Sequence, residues 1–251
     1  MNSSLISVIT ATYNAESTLE RTLRSVESQV CGFAVEHIIV DGKSADDTMK
    51  IVKDYVSRNP SSAIRVVSEP DRGLYDALNK GIGMATGRYL CFLNAGDTFH
   101  SADTLQTALD GVDADAVGIV YGDTDIVDSN EKFLHLRNLR PPHTLSWRSF
   151  RNGMLVCHQS FYVRRDIAQE YDLKYRFSAD FDWCIRVMRE GERLGLVNHF
   201  VDASLTNYLE EGLTTRNHKA SLIERFRIMS HFYGLVPTIL RHFYFLICKQ
   251  R

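Results

Sequence analysis

Apolar, β-branched runs alternate with amphipathic stretches along the first hundred residues. Residues 5–11 form such a run, and residues 17–28 follow with Leu19, Leu23 and Val26 on one helical face. Residues 36–41 read as a second strand, and Ser44 as the cap of a helix reaching about Val56. Residues 64–68 read as a third strand, 74–85 as a third helix and 88–93 as a fourth strand. Strands alternating with helices predict parallel pairing through right-handed crossovers. The near-continuous apolar strands predict burial on both faces.

The pattern then loosens. Residues 117–123 and 155–163 read as strands, the Pro141-Pro142 region as irregular, and residues 180–190 as a helix with Trp183, Ile185, Val187 and Met188 as its apolar positions. No internal repeat and no low-complexity linker divides this half, so it is expected to complete one domain. From Leu222 the chain becomes apolar, aromatic and basic, with Arg225, Arg227, Arg241, Lys249 and Arg251 and a single acid, Glu224. Pro237 suits the first turn of a helix there. A basic amphipathic helix pair predicts attachment to a membrane surface; packing on the main domain or on a subunit partner is the competing expectation.

Composition narrows the class. A chain of 251 residues with 44% hydrophobic and 24% charged residues is an ordinary globular protein with a substantial core. A net charge of −2 gives no reason to expect nucleic acid as a partner. The five cysteines form no C-x-x-C pair, and Cys91, Cys157 and Cys184 sit in apolar or helical patterns, which predicts buried free thiols and a reducing compartment. No signal-peptide pattern opens the chain, and no window reaches the ~18 apolar residues of a membrane span. A cytoplasmic location, peripheral on the membrane if the tail binds it, is the expectation.

Polar clusters fall where strands end. Thr12-Tyr13-Asn14 follows the first, Asp41 ends the second, Asn94-Ala95-Gly96-Asp97 follows the fourth, and Asp180-Phe181-Asp182 lies downstream. In a parallel sheet such strand ends share the edge where ligands bind. Asp41 could accept from a base N–H, and Asp97 could hold a hard divalent cation. Each also has a plain structural role: Asp41 and Asp46 as turn or cap residues, Asn94 and Asp97 as turn formers, Asp180 and Asp182 as acids favoured at a helix start. His158 could face a ligand or be a satisfied core histidine. There is no phosphate loop of the G-x-x-x-x-G-K-[ST] kind, no G-x-G-x-x-G after the first strand, no nucleophile elbow around Ser7, His37 or Asp41, and no zinc spacing.

Taken together, Thr12-Tyr13-Asn14, Val40-Asp41-Gly42-Lys43-Ser44-Ala45-Asp46-Asp47-Thr48, Glu69-Pro70-Asp71-Arg72-Gly73 through Asn79-Lys80-Gly81, Phe92-Leu93-Asn94-Ala95-Gly96-Asp97 and Ser178-Ala179-Asp180-Phe181-Asp182-Trp183 resemble the family-2 glycosyltransferases. The wording after Glu69 resembles the branch that builds bacterial exopolysaccharide, capsule and O-antigen units, including colanic-acid-type transferases. The resemblance implies a GT-A fold, an α/β architecture with a mostly parallel sheet flanked by helices. It implies a catalytic domain over residues 1–221 and an amphipathic helical tail over 222–251. The implied activity is inverting transfer of a hexosyl or N-acetylhexosaminyl unit from a nucleotide-diphospho-sugar, most often UDP-linked, to a glycan or polyprenyl-linked acceptor at the inner leaflet. Thr12, Tyr13, Asn14, Asp41 and Arg72 would line the nucleotide pocket, with Asn94 and His158 toward ribose, sugar or diphosphate. Asp180 would be the general base, Asp182 the runner-up, and Asp97 the ligand of Mg2+ or Mn2+. The D-x-D acids of the family are replaced here by Asn94 and Gly96, which weakens the expected metal site. A homodimer is compatible with this reading. Two other readings remain: a non-catalytic sugar-nucleotide-binding subunit, suggested by the missing acids, and a nucleotidyltransferase, which would need a glycine- and lysine-rich loop in place of Thr12-Tyr13-Asn14-Ala15-Glu16.

Overall fold

The computed structural model describes residues 5–210 and 218–248. In chain order the elements are β1 (Ile6–Thr12), α1 (Leu19–Glu27), β2 (Val35–Asp41), α2 (Thr48–Arg58), β3 (Ala63–Ser68), α3 (Leu74–Met84), β4 (Tyr89–Phe92), β5 (Thr98–Phe99), α4 (Thr104–Leu109), β6 (Val117–Val127), β7 (Phe133–Leu136), β8 (Phe161–Arg164), α5 (Ala179–Arg193), β9 (Val197–Leu209), α6 (His218–Tyr233) and α7 (Leu235–Cys248). They build one mixed sheet in the order β3-β2-β1-β4-β8-β6-β9-β5, with β7 added on β6.

The expected β/α alternation accounts for the first half. β3, β2, β1 and β4 are parallel neighbours. Every residue of β1 is buried, as a strand covered on both faces requires. β3 departs from that expectation: it is largely exposed because it is the sheet's edge and only β2 pairs with it. His37 lies in this core between the Thr10 hydroxyl and the Tyr55 phenol, and burial pushes its pKa down to about 3, so it is a neutral structural imidazole.

The second half completes the same sheet. β8 runs antiparallel between β4 and β6, while β9 runs parallel to β6 over almost its whole length. The expected strand over 155–163 is shorter than its apolar pattern suggested. His158–Ser160 forms a 3-10 turn, and the strand begins only at Phe161. Polar anchors explain the turn: the Ser160 hydroxyl meets Thr124 Oγ1 at 2.7 Å and donates to the Asp123 carbonyl. β9 was not anticipated. Its register against β6 is broken by three irregularities, which erase the simple alternation that would betray it.

Cys91, Cys157 and Cys184 are buried free thiols, as expected. Among the described residues, no helix is long and apolar enough to cross a membrane. The two tail helices differ in burial. Ile228, Met229 and Tyr233 of α6 join the main core while its Leu222 and Ile223 are exposed; on α7 Leu235, Val236, Ile239, Leu240 and Phe243 are exposed.

Candidate active site

Parallel order brings the ends of β1, β2 and β4 to one edge, and the loops beyond them are laced together. The Asn14 N–H donates to Ser44 Oγ, and Asn14 Oδ1 accepts from the Ala45 N–H at 2.9 Å. Asp46 and Glu16 exchange similar bonds with the Glu16 and Asp47 N–H groups. Ser44 therefore does not cap α2, which starts at Thr48; it belongs to this clasp. Asp41 is fully buried and accepts from the Ser44 N–H and hydroxyl and from the Ser68 hydroxyl. Gly42 lets the loops lie close: a Cβ there would sit 2.7 Å from an Asp71 carboxylate oxygen and 3.1 Å from the Tyr13 ring, so both side chains would have to shift. Tyr13 itself is 65% exposed, an open aromatic face at the rim.

Thr12 Oγ1, Asn94 Oδ1 and His158 Nε2 are buried polar atoms without a hydrogen-bond partner. Buried polar groups are rarely left so, because each carries a desolvation penalty of about 1–3 kcal/mol. They are atoms that a polar ligand would satisfy.

Asp180 opens α5. Tyr75, from α3, donates its hydroxyl to Asp180 Oδ1 at 3.2 Å, the Phe181 N–H donates to the same oxygen at 2.9 Å, and His158 Nδ1 lies 3.7 Å from Oδ2. Burial, reinforced by the Asp180 charge, holds the Tyr75 phenol well above its ordinary range, so it remains a donor. Burial pushes the His158 imidazole below its ordinary value; Asp180 opposes that and Arg137 adds to it. His158 also packs its ring against Phe92, over the aromatic group of Phe92, Tyr171 and Trp183.

Not every candidate joins this cluster. Asp182 is buried in an ion pair with Arg186 Nε at 2.6 Å, one helical turn along α5. Arg72, just before α3, is largely exposed and pairs with Asp76 of that helix at 2.8 Å. Asp97 is buried and turned inward: Oδ1 accepts from the Leu209 N–H at 2.8 Å and Oδ2 from Gln159 Nε2 at 2.7 Å, while Gln159 Oε1 accepts from the Asn94 N–H at 2.7 Å. Burial pushes the Asp97 carboxyl up to about 7, despite these bonds and the Arg21 charge.

The donor set bears on a divalent cation. Asn94 offers a neutral amide, Asp97 has both oxygens engaged, and Gly96 has φ +104°, where any side chain would be strained. No group of three or more His, Cys, Asp or Glu side chains suited to a metal occurs among the described residues. These residues do not fit a carboxylate-held Mg2+ or Mn2+. Tyr75 is a site residue that the strand-end pattern did not single out, although it lies within the Glu69–Gly81 motif; Gln159, beside His158 at the end of the apolar run, bonds Asp97 and the Asn94 N–H.

This sheet, with its ligand edge at the ends of β1, β2 and β4, is the GT-A fold of nucleotide-sugar glycosyltransferases. Superposition agrees. S. aureus TarS residues 1–349 in complex with UDP-GlcNAc aligns with TM-score 0.67 at 18% identity, covering 96% of this chain and 73% of that one. Mannosyltransferase PcManGT from Pyrobaculum calidifontis, in complex with GDP-Man and Mn2+, aligns with TM-score 0.61 at 15% identity, covering 98% and 76%. Residues 7–172 match the profile of glycosyl transferase family 2, and the chain belongs to that family. It is 30% identical over 212 residues to the PGL/p-HBAD biosynthesis glycosyltransferase of Mycobacterium bovis, covering 83% of this chain and 79% of the relative. It is 31% identical over 218 residues to the amylovoran biosynthesis glycosyltransferase AmsB of Erwinia amylovora, covering 80% and 68%. The protein is a glycosyltransferase.

Proposed function

We propose that the protein is an inverting glycosyltransferase that moves a hexosyl or N-acetylhexosaminyl unit from a UDP-sugar to a glycan or polyprenyl-linked acceptor in surface polysaccharide synthesis. UDP-GlcNAc in the TarS complex and the amylovoran role in the name of AmsB support the donor and the pathway class. The observation that carries the reading is the set of unpartnered buried atoms, Thr12 Oγ1, Asn94 Oδ1 and His158 Nε2, with the Asp180 carboxylate beside His158.

The nucleotide lies across the clasped loops after β1 and β2. Tyr13 stacks on the base, Asp41 and Asn14 shape the base pocket, and Thr12 and Asn94 bond the ribose and donor sugar. Arg72 stands at the rim and reaches the nucleotide only by leaving Asp76. Asp180, rather than the ion-paired Asp182, takes the proton from the acceptor hydroxyl. The acceptor oxygen then bonds to the anomeric carbon as the bond to the diphosphate breaks, and the nucleoside diphosphate leaves. Tyr75 and the Phe181 N–H hold one Asp180 oxygen and leave the other beside His158. Negative charge on the departing diphosphate must be met by the site. Arg137, within electrostatic reach of His158, and Arg225, within reach of Tyr75 and with a buried unpartnered Nε, are the cations at hand. Asp97 organises the loop instead of holding a metal.

A cytoplasmic location at the inner leaflet belongs to the same reading, and the exposed apolar side of α7 suits attachment to such a surface, where a polyprenyl acceptor resides. A thermal-shift screen of UDP-, GDP- and dTDP-sugars, followed by donor hydrolysis, tests the reading. Stabilisation by UDP-sugars and turnover lost in Asp180→Ala are expected. A fully active Asp180→Ala, or no response to any nucleotide sugar, overturns it.

A further inference from the structure

The single acid of the basic tail is spent on the catalytic domain. Glu224, on α6, accepts three backbone N–H bonds from the loop that enters α5. Oε1 takes the Arg176 N–H at 2.9 Å, and Oε2 takes the Phe177 N–H at 2.8 Å and the Ser178 N–H at 2.9 Å. Ser178, the residue before α5, has no side-chain bond to its own helix; its hydroxyl instead meets Ser221 Oγ at 2.8 Å and donates to the Ser221 carbonyl. A helix start normally finds its acceptors close by in sequence. Here the three residues leading into α5 find theirs on a helix more than forty residues downstream.

We propose that Glu224 is a positioning residue for the transfer: it fixes the Arg176–Ser178 backbone and so sets where Asp180, two residues further on, presents its carboxylate. This rests on the assignment of Asp180 as the base. Three N–H bonds to one carboxylate are charge-assisted, and a negative charge at a helix N-terminus is favourable. The clamp is itself anchored. Ser221, Glu224 and Ile228 recur at helical spacing on one side of α6; Ile228 and Met229 are buried, and the Tyr233 phenol donates to the Trp147 carbonyl while stacking on the Trp147 ring. The first tail helix is therefore part of the active-site framework, and most of the exposed apolar surface of the tail lies on α7. Removing everything after residue 221 would take the clamp away together with the exposed apolar face.

The test uses the full chain carrying Glu224→Ala and Glu224→Gln, each also combined with Asp180→Asn. A base displaced by about 1 Å lowers turnover by about 10²-fold. Glu224→Ala is therefore expected to reduce kcat by about 10- to 100-fold while the donor KM moves less than about 3-fold, because Glu224 bonds the backbone that leads to Asp180. Glu224→Gln keeps an acceptor oxygen and should recover part of the loss. In the Asp180→Asn background, Glu224→Ala should reduce kcat less than about 2-fold further, since its effect passes through Asp180. Wild-type kcat in a folded Glu224→Ala, a full additive loss in the Asp180→Asn background, or failure of both Glu224 variants to fold would each overturn the proposal. A wild-type protein without nucleotide-sugar turnover would instead reject the catalytic reading on which it rests.

Discussion

Replacing Asp97 by Asn distinguishes a loop-organising carboxyl from a metal ligand. Burial raises this carboxyl from its ordinary 3.8 to about 7. Between those values the folded chain holds a proton that the unfolded chain has released. Stability from this group is therefore fully present below about pH 4, falls as pH rises and levels off above about pH 7. The rise corresponds to about 4 kcal/mol lost across that window. Asn stays neutral throughout, so the slope should vanish. Asn can still accept from the Leu209 N–H, but its amide then faces the Gln159 amide. Turning Gln159 over restores that contact and withdraws the acceptor from the Asn94 N–H. One buried donor is left unpaired, at about 1–3 kcal/mol. At pH 5 wild type has already lost about 2 kcal/mol, so the two effects nearly cancel and the melts should lie within a few degrees, since 1 kcal/mol shifts Tm by about 2–4 °C in a chain of this size. At pH 8 wild type has lost the full ~4 kcal/mol, which outweighs the unpaired donor, so the variant should melt above wild type by ~2–12 °C. Circular-dichroism melts at pH 5 and 8, in chelator and then with Mn2+, read this directly. A variant with unchanged melts at both pH values, but without a Mn2+-dependent stabilisation seen in wild type, would refute the structural role and make Asp97 a metal ligand.

Asp180→Asn should lower kcat by about 10²–10⁴-fold, the span of general-base contributions, with UDP-sugar thermal shifts retained; loss of those shifts would move Asp180 into donor binding. Thr12→Val removes a buried hydroxyl that has no partner. It should leave Tm unchanged or slightly raised while weakening the donor by about 5–10-fold, the value of roughly one hydrogen bond, and an unaltered donor Kd would take Thr12 out of the pocket. Truncation after Tyr233 keeps Glu224 and removes the exposed Leu235, Val236, Ile239, Leu240 and Phe243; sedimentation with anionic vesicles should be lost and soluble-donor turnover kept. Continued sedimentation of the truncated chain would argue against α7 as the attachment surface.

The strand-helix alternation of the first half could be read from the chain because each element buries one continuous face and local pattern carries that information. So could the positions of Thr12, Asp41 and Asn94, since strand ends in a parallel sheet map onto one edge. The second half could not be read as well. β9 is interrupted by bulges against β6, and the turn at His158–Ser160 is fixed by Thr124 and Asp123 from another strand. Side-chain direction was likewise invisible: Asp180 and Asp182 are two residues apart on one helix, yet Arg186 claims the second while Tyr75 and His158 meet the first. Asn94-Ala95-Gly96-Asp97 tells from residue types alone that two acids are missing. That the remaining acid faces Gln159 and Leu209 depends on groups 62 and 112 residues away in the chain. The isolated Glu224 stood out by composition, but its three partners are backbone amides, which carry no sequence signature. Local periodicity specified the framework and the residues at its edge; long-range hydrogen bonding, which no local pattern encodes, determined which of those residues remain free to act.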